Sequence, residues 1–89
     1  MNSFRDSMNQ IDAVIIEAIA KRCEISKQMG SYKHKHNIKI HNKVREDELY
    51  QMHTKLANKY NVDSNLIVDV FNIIIEHSRF IQHRIKNET

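Results

Sequence analysis

From Phe4 to Tyr32 the chain repeats steps of four and three without a break: Phe4, Met8, Ile11, Ile15, Ala18, Arg22, Ile25, Met29, Tyr32. Such a rhythm predicts one continuous helix whose seam packs lengthwise against other helices. A helix of about 30 residues is too long for a compact monomer of 89 residues, so it predicts a dimer. Composition agrees, with no Pro and a single Gly to interrupt helices. A lone chain of this length would bury only about two-thirds of its surface.

One seam position is wrong for a core. Arg22 stands where Leu or Ile is expected. A buried guanidinium is unfavourable unless an anion meets it. The seam therefore faces either an internal acid, with Glu76 and Asp12 as candidates, or an anionic ligand. Lys33 follows Arg22 by eleven residues, about 20° around a helix, so the two cations share a face about 16 Å apart along the axis. Arg5 lies about 100° off that face and about 25 Å away, so it reaches the same small ligand only from another copy of the chain.

Asn2 or Ser3 is the expected N-cap of this first helix, which ends near His34. Gly30 lies inside it, either for close approach of another backbone or beside a fraying end. His34 to His41 has no helical period and reads as a loop, with Ile40 as an apolar pin. Its histidines have non-specific spacing and no Cys or carboxylate to complete a set, so no metal site is expected. Asn42 caps a second helix whose apolar line is Leu49, Met52, Leu56 and Tyr60, with Arg45 and Glu46 in its first turn. Met8, Met29 and Met52 are expected in the core. Asp63 or Ser64 caps a third helix running to about Lys86, with a seam of Ile67, Phe71, Ile74, Ser78, Ile81 and Ile85. Gln82 lies one turn beyond Ser78 on the same side. The expected fold is all-α, one long helix and two shorter ones, in a single domain over 1–89.

The lone Cys23 excludes an internal disulfide framework. The opening lacks a secretory apolar region, and no stretch approaches the roughly 20 apolar residues of a membrane span. A cytoplasmic setting is the default expectation. The net charge of +3 suits anionic small molecules. The basic run of Lys33, Lys35, Lys39, Lys43 and Arg45 has neither aromatic interleaving nor a reading motif, so nucleic acid is not an expected partner.

The polar groups on or beside the seams are Arg22, Lys33, Arg45, Glu46, Ser78 and Gln82, with Arg5 from elsewhere. No nucleophile has an evident base, and no Gly-rich loop cradles phosphate. Fixed cations and neutral donors bind a polyanion and stabilise developing negative charge without covalent chemistry. In order and at spacing, the segments FRDSMNQIDAVIIE at 4–17, AKR at 20–22, MGSYK at 29–33, IHNKVRE at 40–46 and IIEHSRFIQ at 74–82 resemble the all-helical chorismate mutases, a class of intertwined homodimers.

The resemblance implies that Arg22 and Lys33, with Arg5 in trans, clamp the two carboxylates of chorismate. Lys33 and Gln82 would donate to the ether oxygen of the breaking bond, and Glu46 would hold the C4 hydroxyl. Arg45 would brace the site and Ser78 assist at a carboxylate. No cofactor is implied. The chain departs from the family at Asn42, where many members carry Asp beside the C4 end of the substrate. This leaves a 4-amino-4-deoxychorismate mutase open, although loss of an acid there favours the hydroxyl substrate. An isochorismate pyruvate-lyase on the same fold is a second alternative; those enzymes usually lack the acid at Glu46. A non-catalytic helical dimer is the third.

Overall fold

The helix that opens the chain begins one residue earlier than its side chains suggest. In the computed structural model, which describes residues 1–88, α1 spans Asn2–Lys35 with Met1 as its N-cap and no side-chain capping bond. Arg5 N already donates to Met1 O at 3.1 Å, so Asn2 and Ser3 fall within the first turn and neither caps. α1 ends in a turn at His36 and Asn37. Asn37 takes the left-handed conformation, φ 54°, which Asn tolerates better than most residues. Ile38 N returns to Lys33 O at 2.8 Å.

α2 (Lys43–Lys59) starts where expected: the Asn42 side chain accepts from Arg45 N at 3.0 Å. A second left-handed Asn, Asn61 at φ 56°, turns the chain toward α3 (Ser64–Glu88). Asp63 caps that helix by accepting from Asn65 N at 2.9 Å. The described residues contain three helices and no strand.

α1 and α2 each pack against α3 and not against each other. The expected seam of α3 is its inward face, with Ile67, Phe71, Ile74, Ser78, Ile81 and Ile85 all half-buried. The other two helices differ from expectation. α1 meets α3 through Cys23, Ser26 and Gly30, a line of small residues beside the apolar seam. Small side chains let the backbones approach: a Cβ on Gly30 would stand 3.0 Å from the Gln82 Cα. Close approach, not a fraying end, is therefore what this glycine serves. α2 buries His53 and Ala57, while Met52, Leu56 and Tyr60 of its expected apolar line stay exposed.

Met8, Met29 and Met52 are thus not core residues of the single chain. The first half of α1 is uncovered, with Phe4 71%, Met8 60%, Ile11 56% and Ile15 51% exposed. The radius of gyration is 15.8 Å, against about 12 Å for a compact domain of this length. The accessible surface is 7469 Å², against about 5,500 Å² for a folded monomer of this mass. Among the described residues, no helix is long and apolar enough to cross a membrane.

Candidate active site

A cavity of about 260 Å³ opens where α1, α2 and the α1–α2 loop meet α3. It gathers seven of the eight residues singled out from the sequence: Arg22, Lys33, Asn42, Arg45, Glu46, Ser78 and Gln82. Arg5 does not line it. At 1.5 Å per residue it stands about 25 Å from Arg22 along α1.

The floor is a polar relay between α1 and α3. Ser26 Oγ and Ser78 Oγ are hydrogen-bonded at 2.6 Å, and Gln82 Nε2 donates to Ser78 Oγ at 3.2 Å. Gln82 is buried, 3% exposed, and its Oε1 has no partner among the described residues. Such an unpaired buried acceptor costs about 1–3 kcal/mol. Gly30 makes the arrangement possible, because α3 approaches α1 at Gln82 itself.

The cations stand around this floor. Lys33 Nζ donates to the Ile40 carbonyl at 3.1 Å, so Ile40 fixes the loop and the ammonium together. Burial lowers the Lys33 pKa from its ordinary value. Arg22 has no carboxylate partner among the described residues; neither Glu76 nor Asp12 meets it. Its guanidinium lies 5.8 Å from the centre of the Phe71 ring, a cation–π position. On that ring His53 stacks at 3.9 Å. Burial, and then Arg22 and Arg45, lower the His53 pKa, which disfavours a further positive charge beside Arg22. Arg45 reaches Glu48 at 3.3 Å from the rim.

Glu46 is the cavity's carboxylate. Its Oε1 meets Arg79 Nη1 at 2.8 Å and its Oε2 meets His41 Nε2 at 2.9 Å. Arg79, Ser26, His41 and the Phe71–His53 stack had not been singled out as site residues. Arg79 lies one position past Ser78 and Ser26 one turn past Arg22, so helical neighbourhood was the available signal for these two. His41 and His53 carried no comparable signal. The lining therefore presents four cations, Arg22, Lys33, Arg45 and Arg79, against one carboxylate. No group of three or more potential metal ligands forms among the described residues. The arrangement suits a small dianion with a neutral hydrogen-bonding end.

The family model for chorismate mutase type II matches residues 4–83. The chain belongs to that family. Over 85 residues it is 33% identical to the chorismate mutase of Methanocaldococcus jannaschii, an alignment covering 96% of this chain and 86% of that protein. It is 35% identical over 86 residues to the bifunctional chorismate mutase/prephenate dehydratase of Buchnera aphidicola subsp. Schizaphis graminum, covering 97% of this chain and 22% of that protein. It is also 30% identical over 88 residues to the T-protein of Haemophilus influenzae, covering 99% of this chain and 22% of that protein. The chain thus spans most of the archaeal enzyme and about a fifth of the two longer proteins. Membership in a chorismate mutase family makes it an isomerase by class.

Proposed function

We propose that the chain catalyses the rearrangement of chorismate to prephenate in aromatic amino acid biosynthesis. Its site would be completed by Arg5 of a second copy in an intertwined homodimer. The observation that carries the reading is the cavity's charge pattern, four cations around one carboxylate, within a chorismate mutase family. The residues 1–89 act as one helical domain in this reading, and the free Cys23 thiol suits a reducing, cytoplasmic compartment.

The reaction is intramolecular. One C–O bond breaks, one C–C bond forms, and nothing enters or leaves. The protein therefore has two tasks. Arg22, Lys33 and Arg5 of the second copy hold the substrate carboxylates so that the reacting carbons stay close, which is the proximity contribution. Lys33 and Gln82 donate to the ether oxygen as negative charge grows on it, which is the electrostatic contribution. Gln82 Nε2 carries two protons and spends one on Ser78. Ser78 assists at a carboxylate and Arg45 braces the rim. Glu46 accepts from the C4 hydroxyl, with Asn42 beside it. These donors raise the rate only where they bind the transition state more tightly than chorismate.

The exposed surface supports the dimer. The accessible surface of 7469 Å² exceeds the folded-monomer expectation by about 2,000 Å² per chain, an excess of the size obligate interfaces bury. The apolar seam from Phe4 to Ile15 is the natural place to bury it, and Arg5 lies next to the start of that seam.

Purified protein incubated with chorismate, followed by ultraviolet absorbance and product identification, tests the reading. Prephenate formation is expected. Pyruvate release from isochorismate without chorismate turnover would replace it with the lyase. Inertness of a folded helical dimer toward both compounds would overturn it.

A further inference from the structure

Glu46 has both oxygens engaged by charged or ionisable partners from outside its own helix. Arg79 comes from α3 and His41 from the loop before α2. Glu46 and Arg79 are both part-buried, with side chains 26% and 35% exposed. The pair forms the partition between the 260 Å³ cavity and a second hollow of about 330 Å³ between α2 and α3, since both residues line both spaces.

This arrangement limits what Glu46 can recognise. A carboxylate has about four acceptor positions, and Arg79 and His41 occupy two. Capacity remains for a neutral O–H donor. The capacity to neutralise a cation does not remain, because the Arg79 guanidinium already answers the negative charge. The other charged groups of the lining are Arg22, Lys33 and Arg45, all cationic, and Asn42 beside Glu46 is neutral. An ammonium reaching Glu46 would meet a carboxylate with a guanidinium fixed on its other side, and like charges at that range disfavour each other.

We propose that Arg79 is a specificity-determining positioning residue. By holding Glu46 as a charge-balanced acceptor, it admits a hydroxyl at the substrate's far end and excludes an ammonium. The proposal rests on the reading of the cavity as a chorismate site.

The test compares chorismate with its 4-amino-4-deoxy analogue on the full chain and on Arg79→Met, Arg79→Gln and Arg79→Lys. Both kcat/KM and calorimetric Kd are measured, so binding discrimination is read even where turnover is slow. The wild type prefers the hydroxyl compound. Either neutral variant lowers that preference by at least about tenfold, equivalent to about 1.4 kcal/mol. Arg79→Lys, which keeps the charge, retains it. A preference within about twofold of wild type in a folded neutral variant overturns the role of Arg79 while leaving the mutase reading intact. Wild-type protein that neither binds nor converts either compound overturns both.

Discussion

Gly30→Ala offers a sharp test of how packing and site are joined. In an ordinary exposed helix this change stabilises by about 1 kcal/mol, because Ala loses less backbone freedom. Here the new Cβ would stand 3.0 Å from the Gln82 Cα and 3.4 Å from both its Cβ and its Cγ. Carbon atoms rest at about 3.5–4.0 Å, so the neighbour must give by a few tenths of an ångström. The obstacle is backbone, and no rotamer change relieves it. α3 must move off α1 at that point. Overpacking of this kind costs about 1–3 kcal/mol. With a rigid neighbour we take the upper half of that range and expect a net loss of about 1–2 kcal/mol. With a urea slope near 1 kcal/mol/M, the midpoint falls by about 1–2 M. The displaced residue is Gln82, so kcat/KM for chorismate should fall by about 10–100-fold, as sub-ångström to ångström misplacement does. Urea unfolding followed by circular dichroism, at matched protein concentration, gives the first quantity. The chorismate assay gives the second, with Gln28→Ala on the exposed side of α1 as the propensity control. A Gly30→Ala protein with a raised midpoint and undiminished kcat/KM would refute the reasoning on both counts.

Burial lowers the Lys33 pKa below its ordinary 10.5, which sets two pH trends of opposite sign. The protonated ammonium is the form that grips a carboxylate, so kcat/KM should fall as pH rises through the lowered value, and Lys33→Arg should abolish that alkaline limb because guanidinium stays charged. In the same window the unfolded chain binds more protons than the folded one, so Lys33's contribution to stability should rise with pH, measurable as an urea midpoint that increases relative to Lys33→Arg. Arg5→Ala and Arg22→Ala chains, each inactive alone, should recover roughly a quarter of wild-type activity when unfolded together and refolded, since half the dimers are mixed and each carries one intact site. Absence of recovery would place Arg5 outside the partner's site.

Helix number, the Asn42 cap and the inward face of α3 were legible because each rests on local chemistry: period, side-chain acceptors and turn residues. The cavity residues were legible for a related reason. Arg22 and Ser78 are polar intruders on apolar seams, and such intruders need a partner. The packing faces of α1 and α2 were harder to read. Hydrophobicity marks where a helix can bury surface but not which neighbour covers it, and the small line Cys23–Ser26–Gly30 carries little hydrophobic signal. Gly30's requirement is set by Gln82, 52 positions away. Arg22 calls for an internal acid or an anionic ligand from sequence alone; that its guanidinium lies over the Phe71 ring is a contact only the α1–α3 crossing creates. Arg79 looks like a solvated helix charge until α2 is laid beside it.

Because α1 and α2 touch only α3, the order of synthesis matters. Ribosomes add about 5–20 residues per second, and residues 36–88 follow α1. The long apolar rod therefore emerges roughly 3–10 seconds before its own covering helix is complete. Phe4, Met8, Ile11 and Ile15 stay exposed even after α3 has folded onto α1, so the single chain does not bury them at any stage. Neighbouring nascent chains on one messenger carry the same rod at the same time, and co-translational pairing of two such rods would shield them before aggregation or a chaperone does.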